Sequence, residues 1–404
     1  MVIGMVVFFV LFAFLCSVTL VIVLAQFTRK TYPSYEPTVS IIIPTYNEEK
    51  TIARCLESIN TSHYSKEKLD IIVVDDGSTD GTLAEVQKFS SVRIVHQGHH
   101  GKVEALNTGL KESRYDIILT LDADTLLHAA CIKNIVLPLQ DPTIAASSGS
   151  CRVANNVNIL TMFQNIEYHY NNLIRQSFSR VFLTGIWFFG ALACYKKSAV
   201  LSVGGFKKDT QTEDADIALE FHRAGYRTMT LPSALGFTTV PITFSGFITQ
   251  RKRWWSGVLQ SLGKNKGAWT SHSPPILFLF VNQYWWSVYA FLSLPLLLYQ
   301  IHYWFPTGGF IEISSYLIRW FTVAGPFYVL YKLPVWGLSY YNIFGVLAGV
   351  VSFSLMIIAP FFFKDTLSLK NIIGVIFYFP YTIFLNAVIC LSFLHKTKRV
   401  YFIK

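Results

Sequence analysis

Two aspartates, Asp122 and Asp124, stand two positions apart directly after the apolar run Ile117–Leu121. If that run is a strand, side chains at i and i+2 point the same way. Neighbouring carboxylates repel each other unless a cation lies between them or one is protonated. A hard divalent cation accepts oxygen ligands and bridges diphosphate oxygens. The pair therefore predicts a site for a cation and a diphosphate, with a solvated pair at a strand end as the alternative.

A second acidic segment, Asp75–Gly81, follows another apolar run, and Thr45 and Glu48 follow a third. A carboxylate such as Asp76 at the end of a strand can accept hydrogen bonds from a ribose or a base edge. The glycines of this segment let the backbone approach a ligand closely. The alternative is an ordinary turn, because Asp, Gly and Ser are common turn residues.

The third acidic segment is Thr212, Glu213 and Asp214. A hydroxyl is a poor nucleophile, and a positioned carboxylate can remove its proton as the new bond forms. The alternative is a helix cap, because Thr followed by acidic and then periodic apolar residues is typical of a helix start. Both roles are compatible, since a helix N-terminus stabilises a carboxylate.

A basic and aromatic segment, Gln250–Trp255, is the fourth candidate. Arginine can hold a diphosphate with paired donors, and tryptophan offers a flat face to a sugar ring. Gln250, Arg253 and Trp254 fit that role together. The remaining residues of the segment, Arg251 among them, fit a helix lying at a membrane interface.

The elements that must position these side chains alternate between short β-branched runs and amphipathic stretches. The predicted strands are Val39–Pro44, Asp70–Asp75, Val92–His96 and Asp116–Asp122. The predicted helices are Glu48–Asn60, Gly81–Phe89 and Lys102–Lys111. This alternation predicts an α/β fold with a mainly parallel, Rossmann-like sheet. In such sheets ligands bind beyond the carboxyl ends of the strands, where three of the candidate segments lie.

The composition places much of the chain in lipid. Hydrophobic residues make up 52% of the sequence and charged residues only 14%, against about 25% charged in an ordinary soluble domain. The formal net charge is +10. No basic stripe with interleaved aromatic residues indicates nucleic-acid binding, so we attribute the excess to membrane orientation and anionic lipid.

Hydropathy predicts an N-terminal transmembrane helix in residues 1–30, a cytoplasmic catalytic domain in residues 31–260, and an interfacial segment with about four transmembrane helices in residues 261–404. The predicted spans are Val2–Phe27, Ile276–Tyr299, Tyr340–Phe363, Asn371–Leu394 and the weaker candidate Ser315–Pro334.

Basic residues follow the first span, as Arg29 and Lys30, and recur in the tail His395–Lys404. The positive-inside rule then puts both the domain and the tail in the cytoplasm. An even number of spans must separate them, so we expect the weaker candidate Ser315–Pro334 to cross. The alternative is an interfacial or re-entrant segment, because its charge-free core alone is too short to span. The sequence thus predicts a multi-pass protein of the cytoplasmic membrane.

The order of the motifs resembles the processive family 2 glycosyltransferases, which include cellulose, hyaluronan, chitin and poly-N-acetylglucosamine synthases. Their pattern is Asp…Asp-x-Asp…Thr-Glu-Asp…Gln-x-x-Arg-Trp on a GT-A fold. It is matched here by Asp76, Asp122 with Asp124, Thr212–Asp214, and Gln250 with Arg253 and Trp254. Gly101-Lys102 and the segment Gln164–Glu167–Tyr168 are also similar to the family.

The resemblance implies an inverting, single-displacement transfer from a UDP-sugar. The implied donor site comprises Thr45, Glu48, Asp76, Lys102, Asp122, Gln250 and Arg253. The implied catalytic segment is Thr212, Glu213 and Asp214, with Asp214 as the general base. Asp122 and Asp124 would bind a divalent metal, Mg²⁺ or Mn²⁺, and Trp254 would stack under the acceptor sugar.

The product predicted first is an extracellular polymer of N-acetylglucosamine, made on a growing glycan and moved across the bilayer by the same chain. The alternative is a non-processive enzyme that makes a glycolipid on a ceramide or diacylglycerol acceptor. A non-catalytic transporter or scaffold would leave the three acidic motifs unexplained. Nucleic acid is excluded as a partner, while the linkage and any accessory subunits stay open.

Overall fold

A long apolar helix, an α/β unit and a group of helices follow one another along the chain. The structure is a computed structural model, and it describes residues 2–28, 30–185, 188–271, 273–303, 305–363 and 369–394. The charged segments used above to orient the chain, Arg29 and the tail His395–Lys404, lie outside the described residues.

Eight strands form one sheet. In chain order they are β1 (Val39–Thr45), β2 (Leu69–Asp75), β3 (Val92–His96), β4 (Ile117–Leu121), β5 (Leu126–Leu127), β6 (Ile144–Val153), β7 (Leu192–Lys196) and β8 (Arg227–Thr238). Their spatial order is β3-β2-β1-β4-β7-β6-β8-β5. Strands β3, β2, β1 and β4 are parallel to one another, whereas β7 runs antiparallel between β4 and β6.

The helices of the α/β unit are α2 (Ile52–Asn60), α3 (Thr82–Val86), α4 (Lys102–Glu112), α5 (Cys131–Ile135), α6 (Ile159–Phe182), α7 (Lys197–Ser202), α8 (Glu213–Arg223) and α9 (Phe244–Lys264). They are preceded by α1 (Val2–Phe27) and followed by α10 (Pro274–Tyr303), α11 (Phe310–Phe321), α12 (Gly325–Trp336), α13 (Tyr340–Phe362), α14 (Leu369–Ile376) and α15 (Phe379–Leu394).

The parallel half of the sheet confirms the strand predictions to within one residue at each end. Its strands are continuous apolar runs because both faces of the sheet are covered. Alternate residues of β1 show this, since Ile41 and Ile43 pack into the core on one face and Ile42 into the core on the other. The second half, β5 to β8, was not predicted from the sequence.

Helices α1 and α13 are long and apolar enough to cross a membrane, by length and composition. A third span is formed if the bent pair α14 and α15 counts as one. Helix α10 has 30 residues, and its apolar character is diluted by the polar and aromatic residues of Asn282–Ser287. Elsewhere, the structure divides two of the predicted spans, Asn371–Leu394 and Ser315–Pro334, into two helices each.

The predicted span Asn371–Leu394 is bent by 61° between Ile376 and Phe379. Pro380 explains the break, because proline fits the first turn of a helix but cannot continue one from the preceding turn. The predicted crossing helix Ser315–Pro334 is wrong as a single helix, because it is divided into the 12-residue helices α11 and α12.

The second helix of this pair, α12, starts just before Pro326. The two breaks are joined by a backbone hydrogen bond, in which the Val323 N–H donates to the Ile376 carbonyl at 2.8 Å. The residues around this contact line the cavity described below.

Candidate active site

Parallel strands bring three of the predicted segments to one edge of the sheet. The carboxyl ends of β2, β1 and β4 lie side by side, and the chain leaves them at Asp76, Thr45 and Asp122. A cavity of about 760 Å³ opens at this edge. Nine of the twelve predicted site residues line it: Lys102, Asp122, Asp124, Thr212, Glu213, Asp214, Gln250, Arg253 and Trp254.

The other three predicted residues, Thr45, Glu48 and Asp76, do not line the cavity and lie at or just after the carboxyl ends of β1 and β2. The Thr45 side chain is buried, and its hydroxyl donates to the Ile43 carbonyl of its own strand at 3.1 Å. Glu48 is linked to Thr51 by a hydrogen bond of 2.6 Å at the start of α2.

Asp76 organises the loop that leads into α4. One carboxylate oxygen accepts from the Gln97 amide at 2.6 Å and from the His100 N–H at 2.9 Å. The other accepts from the Gly101 N–H at 2.8 Å and lies 2.9 Å from His99 Nδ1. Gly101 has φ +89°, a conformation that glycine adopts at little cost. The buried carboxylate thus places the first residue of α4, which is Lys102.

Lys102 joins two of the acidic segments. Its ammonium lies 2.7 Å from Asp122 Oδ1 and 3.0 Å from Glu213 Oε1. Burial disfavours the charge on Lys102, but the two carboxylates outweigh burial and hold its pKa above the usual range. Burial likewise opposes the charge on Glu213, while Lys102 and Arg253 keep the pKa of that carboxyl below its ordinary value.

Asp124 is compensated only in part, by a hydrogen bond from the Thr125 hydroxyl at 3.3 Å and by the charge of Lys102. Burial, followed by the charges of Asp122 and Glu48, raises the pKa of Asp124 to about 7. Burial also raises the pKa of Glu48, and the charges of Asp122 and Asp80 add to this effect. A hydrogen bond from Thr51 opposes it in part. Three acids thus repel one another at this point of the cavity edge.

The residues present fit a divalent cation, because a cation beside Asp124 would relieve this repulsion and carboxylate oxygens are hard ligands. In the described part of the chain, no group of three or more His, Cys, Asp or Glu side chains is placed to hold a metal by itself. A cation at Asp122 and Asp124 would therefore need further oxygens from a bound diphosphate.

Asp214 lies in the first turn of α8 and faces the loop before β7. Its Oδ2 accepts from the Gly190 N–H at 2.9 Å, and its Oδ1 accepts from the Ala215 N–H at 2.8 Å. Burial, followed by the charge of Glu213, raises the pKa of Asp214 to about 6. The side chain is thus held in one orientation, ionised at neutral pH and more basic than a free aspartate.

Thr212 occupies the N-cap position of α8, but its side chain makes no capping hydrogen bond. Its hydroxyl lies 3.4 Å from that of Ser261 in α9. A Cβ at Gly257 would lie 2.5 Å from Thr212 Cγ2, so only glycine allows the two helices to approach this closely. The side chain therefore packs α8 on α9 rather than capping α8.

Helix α9 carries the Gln250, Arg253 and Trp254 side chains into the cavity. Arg253 donates to the Gln211 carbonyl just before α8 at 3.5 Å. Trp254 packs against the core beneath the sheet, and the Arg251 guanidinium lies 4.3 Å from its ring centroid.

The interpretation of Arg251 as a residue of the membrane interface was wrong. Arg251 is only 7% exposed, and its guanidinium lies 2.9 Å from Glu167 of α6. Two features of the sequence are compatible with this pair but do not determine it. Arg251 and Trp254 are three residues apart and so share a helix face, and Glu167 is the single acidic residue in the 24 residues of α6.

The cavity extends well beyond the sheet edge into the helices. Its lining there includes polar and aromatic side chains that span most of α10 and reach α11 and α13: Asn282, Gln283, Trp286, Tyr289, Gln300, Arg319, Trp320, Tyr341 and Asn342. From Gln283 to Gln300 the helix rises about 25 Å at 1.5 Å per residue, which approaches the thickness of the hydrocarbon core of a bilayer.

Residues 40–200 match Glycosyl transferase family 2. The chain is 33% identical over 226 residues to the poly-beta-1,6-N-acetyl-D-glucosamine synthase of Staphylococcus aureus (strain COL). It is 32% identical over 227 residues to the protein of the same name from Staphylococcus epidermidis. Each alignment covers 54% of this chain and 54% of the relative, so the chain spans about half the length of these curated relatives.

Among solved structures, the mannosyltransferase PcManGT from Pyrobaculum calidifontis, in complex with GDP-Man and Mn²⁺, superposes with a TM-score of 0.60. The alignment covers 90% of this chain and 100% of that chain at 24% identity, which shows a shared fold. The predicted GT-A class is thereby confirmed. Residues 40–200, which match Glycosyl transferase family 2, contribute most strands of a mixed, mainly parallel sheet, and apolar helices follow them in the chain.

Proposed function

We propose that this chain is a membrane-embedded, inverting glycosyltransferase that polymerises N-acetylglucosamine from a UDP-sugar donor. The observation that carries the proposal is one continuous cavity that reaches from the sheet edge into the helices. Nine predicted donor, metal, catalytic and acceptor residues line it, and polar and aromatic side chains continue it among the helices. The relatives named as poly-beta-1,6-N-acetyl-D-glucosamine synthases support N-acetylglucosamine as the sugar.

The donor binds at the carboxyl ends of the strands. The uridine lies toward Thr45, Glu48 and Asp76, and the diphosphate toward Asp122 and Lys102. Asp122 and Asp124 would hold Mg²⁺ or Mn²⁺, which when bound would supply Lewis-acid neutralisation of the diphosphate. A neighbour of the same fold was solved with Mn²⁺ and a nucleotide sugar.

The transfer step uses Asp214 as the base. Its carboxylate takes the proton from an acceptor hydroxyl while the hydroxyl oxygen bonds to C1 of the donor sugar and the bond from C1 to the diphosphate breaks. A pKa of about 6 suits a base that is ionised at neutral pH. Arg253 and Lys102 stabilise the negative charge that develops on the departing UDP.

The acceptor lies between Trp254 and the helices. Trp254 offers an aromatic face to the terminal sugar, and the product then follows the lining side chains of α10. Export along this path accounts for polar residues such as Asn282 and Gln283 within a long apolar helix, because polar groups inside a membrane protein face a cavity or a ligand path.

Membrane placement follows from α1 and α13, which are long and apolar enough to span. Lys30 follows α1, and a basic residue on that side favours a cytoplasmic catalytic domain. The whole is then a multi-pass protein that uses cytoplasmic donor and releases product outside.

The test is to reconstitute the full chain in lipid and supply a panel of UDP-sugars with Mg²⁺ or Mn²⁺. We expect UDP release with UDP-N-acetylglucosamine and a product of high mass. A product of one sugar on a lipid would establish the glycolipid alternative. The absence of UDP release with every donor would contradict the proposal.

A further inference from the structure

A buried charged network lies where the catalytic domain meets the last helices, and the transfer chemistry above does not use it. The Arg251 guanidinium lies 2.9 Å from Glu167 Oε2. The same glutamate oxygen accepts a hydrogen bond from the Tyr381 hydroxyl. Arg251 also donates to the Gln250 side-chain oxygen at 3.1 Å. The three charged or phenolic groups come from α9, α6 and α15.

Arg251 is held between two aromatic rings on its own helix. Its guanidinium lies 4.3 Å from the ring centroid of Trp254 and 4.8 Å from that of Phe247. Phe247 in turn packs on Tyr381 and Phe384 of α15, with centroid distances of 5.6 and 5.7 Å. A cation over an aromatic face restrains both partners, so the orientation of Trp254 depends on Arg251 and, through Glu167, on α6.

The network also borders the ligand path. Glu167, Gln250, Arg251 and Trp254 all line the cavity, while Tyr381 is 3% exposed behind them. A buried ion pair adds little stability over well-packed apolar residues, because desolvation offsets the attraction between the charges. Such a pair is better suited to selecting one arrangement, here that of the ring that faces the cavity.

We propose that Arg251 and Glu167 are positioning residues that hold Trp254 in its acceptor-binding orientation, and that Tyr381 ties this arrangement to α15. The inference rests on the proposed function, since it assigns Trp254 to the acceptor. The acceptor platform and the helices that receive the product are then set by one shared network, so a shift of α15 would change acceptor binding while leaving the donor residues Lys102 and Asp122 in place.

The experiment compares Glu167→Gln with the wild-type chain in lipid, using UDP-N-acetylglucosamine as donor and N-acetylglucosamine as added acceptor. Donor hydrolysis and UDP binding should stay within about twofold. The KM for the acceptor should rise roughly tenfold, which corresponds to about 1.4 kcal/mol, and the ratio of transfer to hydrolysis should fall. Arg251→Gln should have the same effect, and the double variant should be no worse than either single variant.

Two further variants keep the test decisive. Tyr381→Phe retains the ring and removes only the hydroxyl, so it should fold and raise the acceptor KM by a smaller factor. Arg93→Gln is the matched control, because it breaks a partly buried ion pair with Asp70 at 2.8 Å on the far edge of the sheet. It should lower the thermal stability without changing the ratio of transfer to hydrolysis.

The inference would be overturned if Glu167→Gln and Tyr381→Phe lowered transfer and hydrolysis equally and left the acceptor KM unchanged. The network would then be purely structural. Should Glu167→Gln fail to fold, Tyr381→Phe decides alone. A wild-type chain that turns over no UDP-sugar would instead refute the proposed function, and the two failures are therefore distinguishable.

Discussion

The two ends of the cavity differ in the kind of side chain that lines them. At the sheet edge, charged groups lie in direct contact, as in Lys102 with Asp122 at 2.7 Å and with Glu213 at 3.0 Å. Along α10 the lining is mostly neutral, with amides such as Asn282 and rings such as Trp286.

This difference teaches how one continuous space can serve two tasks. Concentrated charge favours a reaction in which charge develops and must be stabilised in place. Neutral donors, acceptors and aromatic faces suit a hydroxylated chain that must bind weakly enough to move. Variants at the charged end should therefore affect chemistry, and variants at the neutral end should affect product length.

The strongest test at the charged end is Asp214→Asn. We expect turnover to fall by roughly 10²–10⁴, the usual contribution of a general base, with UDP binding unchanged. Steady-state UDP release and calorimetric binding would measure the two effects. Asp209→Asn, whose side chain is 54% exposed, is the control and should stay near wild type. Near-normal turnover of Asp214→Asn would remove the residue from this role.

Asp124→Ala should lower the affinity for the metal in the presence of UDP by roughly 10–100-fold, as loss of a group that supports a metal commonly does. The reason is that the acid repelled by Asp122 and Glu48 is the one that gains most from a cation. Titration of Mn²⁺ in the presence of UDP would report the change. The exposed acid Glu67 supplies the control Glu67→Gln, and an unchanged titration for Asp124→Ala would count against a metal at this position.

The pH dependence should show the raised pKa of Asp214, which is about 6. A base with a raised pKa is protonated and inactive below that value, so kcat/KM should fall about tenfold per pH unit below 6 and level off above it. Rates measured from about pH 4.5 to about pH 8 would test this, because that range extends about 1.5 to 2 pH units below and above the pKa. The residual activity of Asp214→Asn should lack this limb, and a limb that persists there belongs to another group.

Trp254→Ala stands between the two ends. We expect donor hydrolysis to be spared and transfer to an acceptor to fall by about tenfold or less, the size of an aromatic stacking contribution. Mass analysis of the products beside UDP release would separate the two rates. Equal losses in both would indicate that the ring supports the fold of the site rather than the acceptor.

Asn282→Leu tests the neutral end and should have the smallest effect. Loss of one hydrogen-bonding side chain is worth about 1 kcal/mol, so mean product length should fall a few-fold while UDP release in the first turnover is unchanged. Val281→Leu, on the exposed side of the same helix, is the matched control. A first-turnover rate that falls as much as product length would break the distinction between the two ends.

Local patterns were sufficient to predict the parallel half of the sheet. The strand before Asp76 and the strand before Asp122 were placed within one residue because buried parallel strands are short, continuous apolar runs. The motif residues follow such strands directly, so their approximate position at the carboxyl edge came with the strands. The roles of these residues stay proposals that the variants above examine.

The helical region shows where this reasoning fails. Hydropathy located α1 and α13 but treated Asn371–Leu394 and Ser315–Pro334 as straight spans. A window of apolar residues reports whether a segment can lie in lipid, and it says little about where packing and a proline interrupt the helix. The polar lining of α10 had the same ambiguity between anchoring and a ligand path.

By itself, the sequence determined which residues carry charge at strand ends and which runs are apolar, because these depend on neighbours along the chain. Only the tertiary structure decided that Lys102 would join Asp122 to Glu213, that Gly190 would orient Asp214, and that Arg251 would be buried against Glu167. Each of these contacts joins residues that lie 20 to 111 positions apart in the sequence and that are brought together by sheet order and helix packing. Such pairings follow from how the elements assemble in three dimensions, which no local pattern records.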